Sequence, residues 1–260
     1  MRDELVFEGG AYNTAPEKGR ALLRAFPSFF FYCQDLVIVL KASWRAKRGR
    51  YDTAAWVASS RDVVRALERV GVKFEITGID NFRTLETPAV FVGNHMSILE
   101  TFVLPALIAP FRETTFVVKQ SLVEYPVFKH VMRSRDPVTV SRTNPREDLR
   151  AVLEGGEQRL QAGISIVIFP QTTRTAAFDP TDFNSIGVKL AKKAGAPIVP
   201  IALKTDAWGN GRYLKDFGKI RPSSTVHFAF GKPLWVKDRG REEQAEIVGF
   251  ISEKLTEWGR

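Results

Sequence analysis

The run Ala89-Val90-Phe91-Val92-Gly93-Asn94-His95-Met96-Ser97-Ile98-Leu99-Glu100 decides the fold. Its first four residues are apolar and partly β-branched or aromatic, the composition of a short strand. Ser97 followed three residues later by Glu100 is the start signal of a helix. A strand that runs straight into a helix is half of a βαβ unit, so this stretch predicts a parallel sheet. It also puts His95 at the strand-to-helix turn, on the edge where α/β sheets carry their sites.

The same change of period recurs on both sides. Val72 to Thr77 alternates, Thr115 to Val118 is β-branched and aromatic, and Ile164 to Phe169 is a continuous apolar run suited to burial on both faces. Ile198 to Leu203 and Val226 to Phe230 add two further strands. Helical patterns fill Ile98 to Ala109, Leu122 to Met132, Arg146 to Gln161, Ser185 to Lys193 and Glu242 to Trp258, the third opened by Asn144, Pro145 and Glu147. The alternation implies an α/β fold with a mostly parallel central sheet covered by helices on both faces.

Two helices precede this domain. Asp52 to Val70 has an N-cap candidate in Asp52 and Gly71 just past its end. Before it, Ala25 to Leu40 reads AFPSFFFYCQDLVIVL, as apolar as a membrane segment yet shorter than the roughly 18 residues of a spanning helix. Pro27, Gln34 and Asp35 interrupt it, and Lys41, Arg45, Lys47, Arg48 and Arg50 follow at once. An apolar helix beside a basic cluster suits the headgroup layer of an anionic bilayer, with a buried core helix and a true span as the alternatives. Residues 1–71 therefore read as a helical membrane-associating segment and residues 72–260 as the α/β domain. Met1 to Arg20 contain no apolar h-region, so the expected location is inside the cell, at the cytoplasmic face of a membrane, peripheral or monotopic.

Charge narrows the partners without choosing one. Among 260 residues, 38 Lys and Arg against 29 Asp and Glu give a net charge of +9, which favours polyanions. A basic nucleic-acid-binding protein is one reading, but no binding motif accompanies the charge and it is spread over several segments, so no nucleic acid is expected. The single cysteine, Cys33, excludes an intrachain disulfide and leaves no zinc framework. No Gly-x-Ser-x-Gly elbow surrounds any serine, which argues against a serine hydrolase.

Of the three histidines, His130 lies among charges in a helical stretch and His227 in an alternating strand, settings in which a structural role is the default. His95 differs. A neutral imidazole there can take a proton from an attacking alcohol if its other nitrogen is held in the right tautomer, and Glu100 is the local candidate to hold it. Ser97 to Glu100 equally fits a capping box, in which the carboxylate bonds the cap residue's backbone and needs no catalytic role.

At this point the chain resembles the glycerolipid acyltransferases related to lysophosphatidate acyltransferase. NHMSILE is similar to their Asn-His-(four residues)-Asp block, VVKQSL to the lysine-containing segment after the next strand, and PVTVSR to the block closing on an arginine. FPQTTR resembles Phe-Pro-Glu-Gly-Thr-Arg, and IVPIA the Val-Pro-containing fourth block, so the likeness runs in order from about Val90 to Leu203. It implies His95 as general base, Glu100 as its orienter, and Arg142 and Arg174 on the acceptor's phosphate, where two guanidinium forks suit a dianion and Lys119 adds a point charge. Gln171, Thr172 and Thr173 would form the supporting turn. The implied donor is acyl-CoA or acyl carrier protein and the implied acceptor a lysophospholipid such as 1-acylglycerol-3-phosphate, at a phospholipid surface, with neither metal nor cofactor. Two departures stand out: Glu100 replaces Asp, and Gln171-Thr172 replaces Glu-Gly, which raises a catalytically altered lipid-binding relative of the same fold as the alternative.

Overall fold

A computed structural model describes residues 5–15, 21–171 and 173–259. In chain order they form β1 (Tyr12–Asn13), α1 (Ala21–Ala25), α2 (Pro27–Lys47), α3 (Thr53–Arg69), β2 (Phe74–Thr77), α4 (Asp80–Arg83), β3 (Val90–Gly93) and α5 (Leu99–Ile108). Then come β4 (Thr114–Lys119), α6 (Phe128–Arg133), β5 (Val138–Val140), α7 (Pro145–Gln161), β6 (Ser165–Ile168), α8 (Ile186–Ala194), β7 (Ile198–Lys204), β8 (Val226–Phe230) and α9 (Arg241–Glu257).

The eight strands make one sheet in the order β1-β2-β8-β7-β3-β6-β4-β5. Strands β7, β3, β6, β4 and β5 run parallel, as do β2 and β8, while β7 with β8 and β1 with β2 are antiparallel. Because side chains alternate across a strand, β3 sorts its residues between two cores. Phe91, with Val167 and Val199 beside it, faces α2, α3 and α5 through Phe31, Val63, Leu67 and Val103. Val90 and Val92, with Ile166 and Ile168, face α7, α8 and α9 through Val152, Leu190 and Ile247. The apolar run from Ile164 to Phe169, read as a strand buried on both faces, is so in β6 for this reason.

Local signals placed the helix starts. Asp52 Oδ1 accepts the N–H of Ala55 at 2.8 Å, and Asn144 Oδ1 accepts those of Arg146 and Glu147. The structure corrects one element: the expected helix over Leu122 to Met132 is a 3-10 turn at Gln120–Val123 and then the short α6. Pro126 keeps Tyr125 out of helical geometry, and Val127 follows with φ 73°. Strand β8 also lies antiparallel to β7, because a loop rather than a crossover helix joins them.

The α2 helix is longer than its apolar stretch and has two faces. Phe31, Asp35, Val39, Ala42 and Ser43 are buried inward. Phe29, Leu36, Val37, Leu40 and Trp44 are exposed outward. Among the described residues no helix is long and apolar enough to cross a membrane.

Candidate active site

The carboxyl ends of β3, β6, β4 and β5 lie side by side on one edge, and each delivers a residue expected at the site. His95 follows β3, Arg174 follows β6, Lys119 ends β4, and Arg142 follows β5. With strands about 4.8 Å apart, three steps separate the β3 and β5 ends by about 14 Å, so Arg142 approaches His95 only through the length of its side chain. The sheet thus gathers the four along one edge.

His95 is held from several directions. Its Nδ1 lies 3.3 Å from Glu100 Oε1, at the long end of hydrogen bonding. Its ring stacks on Phe169, centroids 4.5 Å apart and planes 5° from parallel. The side chain keeps 14% of its surface exposed while Glu100 keeps none, so substrate can reach the imidazole and not the carboxylate. With Nδ1 facing a carboxylate, the proton belongs on Nδ1 and the lone pair on Nε2.

Glu100 is fully satisfied. Oε1 accepts the N–H groups of Met96 at 2.6 Å and Ser97 at 2.9 Å, and Oε2 accepts the hydroxyls of Ser97 and Thr205, each at 3.0 Å. Ser97 Oγ in turn accepts the N–H of Leu99. Burial pushes the Glu100 carboxyl up, but the hydrogen bond and charge of His95 and the backbone N–H of Ser97 hold it below the ordinary carboxylate value.

Asn94, just before His95, ties the strand end in place. Its amide pairs with the backbone of Leu203 both ways, at 2.8 Å each.

Arg174 donates through Nη2 to Asp216 Oδ1 at 2.6 Å, and its buried Nη1 has no partner among the described residues. Arg142 stands in the left-handed region, φ 62°, a conformation that costs a non-glycine residue about 1–3 kcal/mol and is favoured at functional turns. Asp148 at the start of α7 holds this turn, its two oxygens accepting the N–H groups of Ser141 and Arg142 at 2.7 Å each. Lys119 and Thr173 are exposed, Gln171 is buried, and Thr172 lies outside the described residues.

Several contributors carried no signal in the sequence. The connection from β7 to β8 supplies Thr205 to Glu100, Asn210 Nδ2 to the carbonyl of Met96 at 3.0 Å, and Asp216 to Arg174. Phe169 lay within a recognised block, but its stacking role is visible only in three dimensions. His227 is structural as expected, stacked on Trp258 and 3.2 Å from Glu75.

The profile of the acyltransferase family matches residues 73–204, which contain His95, Glu100, Lys119, Arg142 and Arg174. The chain belongs to the acyltransferase family. Among curated acyltransferases, the 1-acyl-sn-glycerol-3-phosphate acyltransferase of Pseudomonas aeruginosa is 27% identical over 191 residues, covering 72% of this chain and 70% of that protein. The chloroplastic 1-acyl-sn-glycerol-3-phosphate acyltransferase BAT2 of Brassica napus is 27% identical over 187 residues, 69% of this chain and 52% of that one. The crystal structure of the 1-acyl-sn-glycerophosphate (LPA) acyltransferase PlsC from Thermotoga maritima superimposes with a TM-score of 0.66 over 93% of this chain and 99% of its own, at 19% identity. That likeness establishes the acyltransferase fold, and the α/β sheet flanked by helices agrees with it.

Proposed function

We propose that this acyltransferase moves a fatty acyl group from the thioester of acyl-CoA or acyl carrier protein to the hydroxyl of a lysophospholipid such as 1-acylglycerol-3-phosphate. The observation that carries the reading is the partly exposed imidazole of His95 backed by the buried, ionised Glu100. His95 Nε2 takes the acceptor's hydroxyl proton as the oxygen attacks the thioester carbonyl carbon. The tetrahedral oxyanion collapses, the carbon–sulfur bond breaks, and the imidazolium returns the proton to the leaving thiolate. Glu100 fixes the tautomer and stabilises the imidazolium. Arg174, with Arg142 and Lys119 farther along the same edge, receives the acceptor's phosphate. The steps as drawn require no cofactor.

The reaction takes place at the cytoplasmic face of a membrane, with the protein peripheral or monotopic and residues 1–71 supplying the association. The exposed apolar face of α2 ends beside Lys41, Arg45 and Lys47, and Arg48 lies 3.9 Å over the Trp44 ring, an amphipathic arrangement suited to anionic headgroups. The exposed Phe217 lies 5.5 Å from the Tyr32 ring of α2 and adds to its apolar surface, and Tyr213 and Leu214 are exposed in the same loop. The deciding experiment is turnover of purified His95→Ala with acyl-CoA and 1-acylglycerol-3-phosphate. A loss of about a hundredfold or more with unchanged melting supports the mechanism, and near-parental turnover refutes it.

A further inference from the structure

Gln171 stands where the resembling family carries a glutamate in a phosphate-binding turn, and its side chain does something else. Only 4% exposed, it points away from the open edge and towards the His95 backbone. Its Oε1 accepts the N–H of His95 at 2.6 Å, and its Nε2 donates to Thr175 Oγ1 at 2.9 Å. Thr175 closes the circuit, donating its own N–H to the carbonyl of His95 at 3.0 Å.

We propose that Gln171 is a positioning residue for the catalytic base, joining the turn after β6 to both sides of the His95 residue. His95 needs such a clasp because it lies between β3 and α5, where neither the sheet ladder nor the helix bonds its backbone. The same turn supplies Phe169, whose ring covers one face of the imidazole. Backbone N–H, backbone carbonyl and ring face are therefore all fixed by residues 169–175, and Glu100 fixes Nδ1. An amide suits the central position because one end accepts from an N–H and the other donates to a hydroxyl. A carboxylate serves as well, since Thr175 Oγ1 can turn and become the donor. A residue with neither end leaves the loop after β3 free to shift, and a displacement of about 1 Å at a reacting group costs about a hundredfold in rate.

The inference rests on His95 as the general base, and the experiment separates the two. Gln171→Met, Gln171→Glu, Thr175→Val and His95→Ala would be purified, checked for melting, and assayed with each substrate varied in turn. We expect Gln171→Met to lower kcat about tenfold or more while KM for acceptor and donor moves less than about twofold, with Gln171→Glu restoring kcat to within about threefold of the parent. Thr175→Val, which removes one link of the circuit, should show a smaller loss, again in kcat. Parental kcat in Gln171→Met beside an inert His95→Ala overturns the positioning role alone. A loss confined to acceptor KM would instead assign Gln171 to the phosphate, and a Gln171→Glu as impaired as the methionine variant also overturns the proposal. An active His95→Ala overturns the base assignment and the inference with it. If Gln171→Met fails to fold, unchanged kcat in Thr175→Val decides against the clasp.

Discussion

Glu100 faces His95 Nδ1 at 3.3 Å with the same oxygen that receives the N–H groups of Met96 and Ser97, so one buried carboxylate both holds the backbone leading into α5 and addresses the imidazole. Capping and orienting were distinct readings of the sequence; in the structure the contacts that each would use belong to the same carboxylate. The helix start aims the carboxylate at the imidazole.

Replacing Glu100 tests how far charge matters beyond shape. Glu100→Gln keeps an oxygen for the Met96 and Ser97 N–H groups but cannot stabilise an imidazolium, so turnover should fall about a hundredfold or more with melting lowered by only a few degrees. Glu100→Asp keeps the charge on a shorter arm and should retain more activity than Gln. Because the folded carboxyl is held below its ordinary value, its ionisation contributes stability above that value, and the contribution is lost as pH falls through the folded value. Thermal melts between neutral and acidic pH should therefore converge for parent and Gln variant at the acid end.

Steady-state kinetics distinguish the role proposed for the arginines from that proposed for His95. Arg174→Ala and Arg142→Ala should each raise KM for a phosphorylated acceptor about tenfold or more while leaving donor KM nearly unchanged. Equal losses with an acceptor that lacks phosphate would remove them from that role.

Asp35 offers a stability test unrelated to catalysis. It is buried on the inner face of α2, its Oδ1 has no partner among the described residues, and burial pushes its carboxyl from 3.8 to about 7. The folded state thus holds a proton that the unfolded chain releases, and stability falls as pH rises through that window. Asp35→Asn should raise Tm by about 5 °C or more at pH near 8, with the gain vanishing near pH 4. An unchanged Tm at the higher pH would mean that the carboxylate finds a partner in solution.

Association with lipid is best tested by substitution, because Phe31 of α2 belongs to the core and deleting the segment would expose it. Val37→Glu with Trp44→Glu places charge on the outward face and should reduce co-sedimentation with anionic vesicles, as should added salt for the parent protein. Undiminished binding would shift the contact to another surface.

Much of this arrangement was legible from local pattern. The β3-to-α5 turn and the caps at Asp52 and Asn144 follow from contacts within a few residues, whereas Lys119, Arg142 and Arg174 stood out through the resemblance of their blocks to the acyltransferases. The segment from Tyr125 to Phe128 misled because its apolar spacing suits a helix and only Pro126 breaks it. Thr205, Asn210 and Asp216 were invisible for a different reason: each meets its partner across 42 to 114 positions of chain, and ordinary polar residues in a loop announce nothing about where the loop lands.

The alternation in β3 also constrains how this chain can change length. Phe91 belongs to one core and Val90 and Val92 to the other, so gain or loss of one residue there would exchange the two sets. Residues 205–225 join antiparallel neighbours and are under no such parity, and between Asn210 and Asp216 the chain carries the exposed Tyr213 and Leu214. Changes of length are therefore accommodated best at the tip of this one loop, where they leave His95 and Glu100 in place.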